Sequence, residues 1–468
     1  MPLPDRFSLL VLGQGASGLD VAAWGAAHLG GRVTAVTVVG GAKSAPTPRT
    51  RELEAAGVGF AYGTEEVPGR FDVCVASPGI SEFSAFFAAG RAASAEIMGE
   101  PEFAWRLSPE RWVAITGTNG KTTTTALTHH LFQAAGMASR AVGNIGTPPV
   151  VKVDGREPGS WFVAELSSYQ IATTSELAPH AAALLNITPD HLGWHRTHEN
   201  YAAAKAKLFD NLGPDDLAIV NVEDPGALAV LDRIARPGRR VCALGLADAG
   251  GVDAAFARAG ALVVRLGGVE TELVRSDELQ IKGGHNVQNA LAAAAIALFC
   301  GAPAGAVRAG LVSFAPLEHR VEPCGTVDGA RYFNDSKATN TDAVEKALSA
   351  FPDDRVVLLL GGHDKGTPLE DFMEVVARRA AAVVCFGDAR ERFRAALEGA
   401  SRAGDVDIAE ADDLRDAVDV ARSLARQGDV VLLSPACSSF DEFSGFEERG
   451  RVFKAYVAQL AAGSAGSE

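Results

Sequence analysis

The chain has 468 residues, 47% hydrophobic and 22% charged, ordinary values for a globular protein with room for several packed cores. Its 58 acidic against 43 basic residues leave a formal charge of −15, which argues against broad attraction to nucleic acid or an anionic membrane surface, so an anionic ligand must be met by local groups. No run reaches the roughly 18 continuous apolar residues of a membrane span, the N-terminal MPLPDRFSLLVLG lacks a basic leader region, and six scattered cysteines without a CxxC pair read as reduced thiols of a cytoplasmic protein.

Short apolar runs alternate with helix-length amphipathic stretches throughout, the pattern of parallel α/β layers. The first strand run, FSLLVLG, leads into GQGASG, where Gly13, Gly15 and Gly18 fit GxGxxG and a helix follows. Taken alone this suggests a dinucleotide. The next run, RVTAVTVV, ends without the acid that binds an adenosine ribose, so what survives is a tight turn offering backbone N–H groups to a diphosphate, with Gly15, Ala16 and Ser17 as candidates. A turn needed only for strand-to-helix packing is the alternative. The run DVCVAS then passes into ASPGI, which puts Pro78 and Gly79 on the same carboxyl-end rim.

After a polar break at 106–112, RWVAIT leads into TGTNGKT and a helical stretch. The match to a Walker loop is shortened, because Ile115 stands where its first glycine belongs. Gly117, Thr118, Asn119 and Gly120 form a cradle for phosphate oxygens, Lys121 can reach the β/γ-phosphates, and the Thr122 hydroxyl, with Thr123 beside it, can ligate Mg²⁺. WFVAEL ends in Glu165, a carboxylate where a further Mg²⁺ ligand belongs, although a capping glutamate reads equally simply. NITPDHLGWHRTH holds His191, His195 and His198; zinc is the weaker reading of these, since no cysteine lies nearby and no helical HExxH spacing is present. Lys205 and Lys207, in NYAAAKAKLFDNL, read from composition alone as solvated helix lysines. AALLNIT and LAIVNV are further strands, and LAAAAIALFC is a core helix. A second break at 313–320 precedes RVVLLLGG, AAVVCFG and DVVLLS, giving units 1–108, 109–314 and 315–468.

TGTNGKTTT, AELSSYQ, NITPDHL, YAAAK, GGHNVQNALAA, NDSKATN and SPACSSFDEFSGFEERG follow one another in this order. Together they resemble the Mur ligases, ATP-dependent amide-bond enzymes of bacterial cell-wall precursor synthesis, and the last two are similar to the branch that adds D-glutamate to UDP-N-acetylmuramoyl-L-alanine. The resemblance implies an α/β chain of three domains: a Rossmann-like N-terminal domain for the UDP sugar, a central P-loop-type ATPase domain, and a C-terminal Rossmann-like domain for the amino acid. It implies that ATP phosphorylates the substrate carboxylate and that the D-glutamate amine displaces phosphate from the acyl phosphate. Related ligases carry different C-terminal motifs, and an oxidoreductase lacks support after the second strand.

By the same resemblance, Lys121 and Thr122 hold phosphate and metal, Glu165 and His191 ligate metal, and Lys205, carbamylated by CO₂, helps hold the second of two Mg²⁺ ions. Asn289, Arg320 and Asp335 are nucleotide contacts, Lys337 sits beside the reacting phosphate, and Asn144 and Ser167 lie near the UDP substrate. Lys365, Ser439 and Phe446 match the D-glutamate contacts. The segment VVGGAKSAPTP departs from the polar stretch the family carries after the second strand, leaving Lys43 or Ser44 to substitute there. A monomer is implied, acting on small molecules, with no nucleic-acid or membrane partner.

Overall fold

The computed structural model describes residues 3–364 and 366–465. Its described residues build three sheets, and the ten apolar runs named above all become strands in them. The first sheet is parallel, with strands β1 (Phe7–Leu12), β2 (Val33–Val39), β3 (Gly59–Ala61), β4 (Phe71–Ala76) and β5 (Ser94–Gly99) in the order β3-β2-β1-β4-β5. Chain order reverses between β1 and β4, so the turns leaving these two strands diverge and open a crevice at the carboxyl edge.

The second sheet contains β6 (Trp112–Thr116), β7 (Ser139–Gly143), β8 (Trp161–Glu165), β9 (Ala181–Leu184), β10 (Leu217–Asn221), β11 (Arg240–Leu244), β12 (Asp253–Arg258), β13 (Ala261–Leu266) and β14 (Val269–Arg275). Their order is β14-β13-β12-β11-β10-β9-β6-β8-β7. All pairs are parallel except those of the β12-β13-β14 meander at one edge. β6 is an interior strand between β9 and β8, entirely buried and apolar until its final threonine, and it delivers the phosphate loop to the carboxyl edge with parallel neighbours on both sides.

The third sheet holds β15 (Glu322–Val327), β16 (Ala330–Asn334), β17 (Val356–Gly361), β18 (Ala380–Phe386), β19 (Asp407–Ala411) and β20 (Val430–Ala436), ordered β15-β16-β20-β17-β18-β19. β15 runs antiparallel to β16 and the other pairs are parallel. The α/β class expected from the sequence is therefore observed.

The chain divides into two compact units, Met1–Leu279 with Val287–Ser313, and Gln280–Asn286 with Phe314–Glu468. Within the first unit the first two sheets share one hydrophobic core, from Phe7 and Trp24 through Trp112 to Tyr201 and Phe209. Two buried carboxylates brace this seam. Glu100 accepts from the Val150 N–H at 2.8 Å. Glu102 accepts from the Ser175 hydroxyl at 2.9 Å and the Glu176 N–H at 2.9 Å, and pairs with Arg106 at 2.7 Å. Among the described residues no helix is long and apolar enough to cross a membrane, and all six cysteines are free thiols.

Candidate active site

The glycine turn and the Pro-Gly turn line one cleft. Gly13, Gly15, Ala16, Ser17, Gly40, Lys43, Ser44, Pro78 and Gly79 all line a cleft of about 730 Å³ at the carboxyl edge of the first sheet. The turn after β1 tolerates no side chain at Gly18, where a Cβ would lie 2.2 Å from the Gly13 carbonyl oxygen. Ser44 shapes the opposite wall: its hydroxyl donates to the Gly41 carbonyl at 2.7 Å and accepts from the Gly63 N–H at 2.9 Å.

The phosphate loop leaves β6 and enters the helix Lys121–Ala134 through Gly120, whose φ of +82° favours glycine. A second segment holds it from outside. The Asn119 N–H donates to Asn186 Oδ1 at 2.8 Å, and Asn186 Nδ2 returns a bond to the Asn119 carbonyl at 3.1 Å. Thr118 Oγ1 accepts from the Thr188 N–H at 3.0 Å and is bonded to the Tyr201 hydroxyl at 2.9 Å. Asn289 closes the far side, its Oδ1 accepting from Thr124 Oγ1 at 3.2 Å and standing where a Cβ on Gly120 would be only 2.5 Å away. Thr122 and Thr123 are buried at the start of the helix.

Two lysines converge on this loop. Lys121 Nζ donates to the carbonyls of Gly117 at 2.9 Å and Thr118 at 2.8 Å. Lys205 Nζ donates to the same Gly117 carbonyl at 2.8 Å and lies 4.6 Å from the centre of the Tyr201 ring. Lys205 is 1% exposed, which corrects its reading as a solvated helix lysine: its helix, His198–Ala206, packs this face inward. Burial, and then the neighbouring charge of Lys121, push its ammonium well below the usual lysine range. Lys207 is also partly buried, donating to the Ala172 carbonyl at 2.7 Å.

Glu165 ends β8 and is 1% exposed. Its Oε1 accepts from Asn144 Nδ2 at 2.8 Å, whereas Oε2 is buried without a hydrogen-bond donor. A buried acceptor left open on an acid is the kind of group a cation completes. His191 is held at a φ of +54°, a strained conformation for a residue with a Cβ, with Nε2 3.4 Å from the Asp190 carboxylate. His195 is fully buried, its Nε2 2.9 Å from the Ser168 hydroxyl. Burial, then the charges of His191 and Lys205, bring its imidazole down to about 4. Among the described residues no group of three His, Cys, Asp or Glu side chains is placed to hold a metal ion. A Mg²⁺ site made of one carboxylate, one hydroxyl, phosphate oxygens and water needs no such group.

In the second unit, Asp335 follows β16 and accepts from the Ser434 hydroxyl at 2.7 Å and the Val321 N–H at 3.2 Å. Burial pushes its carboxyl up to about 7, opposed by these bonds and by the charge of Arg320. Arg320 stands between His319 and Val321, with φ of +64° and +44°. Lys337 Nζ lies 5.1 Å above the Phe446 ring. Ser439 is 2% exposed and its hydroxyl has no partner. Arg449 is buried: Nε donates to Ser336 Oγ at 3.0 Å and Nη2 to the carbonyls of Ser336 at 2.8 Å and Cys437 at 3.0 Å.

Residues 115–297 match the Mur ligase middle domain, and residues 319–437 match the Mur ligase, glutamate ligase domain. A UDP-N-acetylmuramoylalanine–D-glutamate ligase of Pelotomaculum thermopropionicum is 39% identical over 464 residues, covering 98% of this chain and 99% of that protein. The chain belongs to the Mur ligase family. A Geobacter metallireducens protein of the same description is 37% identical over 463 residues, 97% of this chain and 98% of its own. Two solved Mur-type structures share the fold at low identity. A pseudomurein peptide ligase type C from Methanothermus fervidus superposes with a TM-score of 0.58 at 14% identity, over 97% of this chain and 100% of that one. The UDP-N-acetylmuramate–alanine ligase MurC from Thermotoga maritima does so with 0.56 at 19%, over 97% and 100%.

In this Mur ligase the first unit gathers Gly117 to Thr123, Lys121, Asn144, Glu165, Lys205 and Asn289 around one strand edge. In the second the Ser336 hydroxyl donates to the Phe446 carbonyl at 2.8 Å, Lys337 lies over the Phe446 ring, and Asp335 faces the charges of Arg320 and Arg449. Ser167 caps the helix Ser168–Ala172 in a reciprocal pairing with Gln170. Lys365 lies outside the described residues. Sequence reasoning passed over Asn186 and Tyr201, which clamp the loop, and Arg449, which ties the SPACSS turn to NDSK. All three sit inside motifs that the sequence already offered, yet only their long-range partners show what they do.

Proposed function

We propose that this chain joins D-glutamate to UDP-N-acetylmuramoyl-L-alanine at the expense of ATP, through an acyl phosphate, in peptidoglycan precursor synthesis. The observation that carries the reading is the end-to-end likeness to relatives bearing that description. The chemistry around Gly117 supports it. Phosphoryl transfer asks for positioning and charge neutralisation more than for a nucleophilic triad, and this loop offers an oriented backbone cradle with a lysine one bond-swap from a phosphate. The domains are taken as 1–108 for the UDP sugar, 109–314 for ATP and 315–468 for the amino acid, in a protein acting as a cytoplasmic monomer.

In this reading two Mg²⁺ ions held by Thr122, Glu165, His191 and a carbamylated Lys205 supply charge neutralisation of the phosphate oxygens. Asn144 fixes the Glu165 carboxylate so that its open oxygen keeps one direction. Lys121 exchanges its carbonyl bonds for the β/γ-phosphates, and Asn289 sets the loop against the nucleotide. Arg320, Asp335 and Lys337 serve the nucleotide and the reacting phosphate. Lys365, Ser439 and Phe446 take D-glutamate, and the cleft lined by Gly15, Ala16, Ser17, Pro78 and Gly79 takes the UDP group, with Asn144 and Ser167 beside its sugar end.

The carbamate reading of Lys205 rests on its burial and lowered basicity. A buried ammonium loses one proton readily, and the neutral amine then attacks CO₂, forming an N–C bond and releasing a second proton as the carbamate anion is left. Isotopically labelled CO₂ should give a carbamate carbonyl resonance that is absent from Lys205→Arg; equal spectra would remove the carbamate. The activity itself is tested by phosphate release with UDP-N-acetylmuramoyl-L-alanine, comparing D-glutamate, L-glutamate, lysine and no amino acid. Release that depends on D-glutamate is expected, and release indifferent to the amino acid would sink the assignment.

A further inference from the structure

His195 is absorbed by none of the roles above, yet it is fully buried in the turn that follows His191. Its ring is walled by Trp194, Tyr169 and Tyr201, with centroids 4.4, 5.6 and 5.3 Å away. Its polar contact is Ser168 Oγ at 2.9 Å, itself on a residue 2% exposed, and its Nδ1 has no partner. The backbone around it is tightly specified. The short helix Leu192–His195 lies between His191 and Arg196, at φ of +54° and +70°, and Asn200 Nδ2 donates to the His195 carbonyl at 2.9 Å.

These contacts join three segments that carry chemistry. Ser168 begins the helix just after Glu165 and Ser167. Tyr201 stands on the helix of Lys205, and its hydroxyl reaches Thr118 in the phosphate loop. His191 stands four residues before His195 in the same turn. We propose that His195 is a positioning residue for the metal and triphosphate site, its Ser168 bond and aromatic packing fixing the Glu165 turn relative to the Lys205 helix. The proposal rests on the ligase reading only in taking that site as the place where metal and nucleotide bind.

Mn²⁺ binding to the full chain with a non-hydrolysable ATP analogue, followed by electron paramagnetic resonance, tests this without turnover. His195→Ala should weaken Mn²⁺ binding about tenfold, the scale on which residues orienting metal ligands act. Ser168→Ala should do the same, and the double variant should lose little more, because both remove one interaction. His195→Gln, which can still reach Ser168, should recover most of the affinity. Mn²⁺ affinity within about twofold of the parent in Ser168→Ala, or losses that add in the double variant, would overturn the proposal. Ser168→Ala removes a single oxygen atom and keeps the test decisive if His195→Ala does not fold. Phosphate release by the parent is a separate reading, so a parent that binds Mn²⁺ but makes no product breaks the ligase assignment and leaves this result standing.

Discussion

In the first unit Lys121 and Lys205 both donate to the Gly117 carbonyl; in the second, Arg449 spreads its guanidinium over Ser336, Cys437 and Ser438. Both centres set cationic side chains against backbone oxygens at the carboxyl ends of parallel strands. The lysines reach carbonyl oxygens on flexible stems, and such bonds exchange readily for those of an arriving anion. Arg449 is a rigid fork with every arm engaged, and moving it would strand several buried carbonyls. The contrast separates cations whose bonds can be exchanged from one whose bonds cannot, although charge alone would class them together.

The comparison can be broken most forcefully at Arg449. Arg449→Ala should destabilise the chain by roughly 3–5 kcal/mol, read as a lower urea midpoint, and Arg449→Lys should recover little because an ammonium cannot span the same acceptors. A loss below about 1 kcal/mol would place Arg449 with the mobile cations. Lys121→Ala should do the reverse, lowering phosphate release by about 10²–10³-fold, near 3 kcal/mol in the barrier, while leaving the urea midpoint almost unchanged.

A buried carboxyl sharpens the same contrast. Burial pushes the Glu100 carboxyl up to about 8 from an ordinary 4.5. The folded chain therefore keeps a proton that the unfolded chain releases, and stability should fall as pH rises from about 4.5 to about 8, then level off. Glu100→Gln keeps the acceptor for Val150 and should remove that slope. Roughly 1–3 kcal/mol should be gained near pH 8.5 and little near pH 4, and a gain independent of pH in thermal melts would contradict the assignment. The smallest expected effect is at Tyr201→Phe. It removes the bond to Thr118 and keeps the ring over Lys205, so about 1 kcal/mol should appear as a several-fold higher KM for ATP with kcat nearly intact.

The interior strands were legible because buried parallel strands are continuous apolar runs, as in VVLLLG and WVAIT. Those that escaped lie mostly at sheet edges or carry charge. β5 is SAEIMG, β7 is SRAVG, and β14 is VETELVR at the rim of an antiparallel meander, where one side faces solvent and the apolar signal halves. The phosphate loop was legible because a few glycines and a lysine must sit at fixed spacing to meet phosphate. Lys205 was misjudged by composition, since nothing local distinguishes a helical lysine that points inward from one that points out. Asn186 and Arg449 went unseen for a related reason: their bonds reach residues 67 and 113 positions away.

Val321 has a wider consequence. Among the described residues it is the one β-branched side chain with positive φ, and it adjoins Arg320, so the fold carries there a penalty of order 1–3 kcal/mol. Anyone engineering heat tolerance into this chain would find Val321→Gly an inviting first substitution. The same change would remove a side chain packed against the core of the second unit, so relief of strain and loss of packing would be set against each other at a single peptide unit.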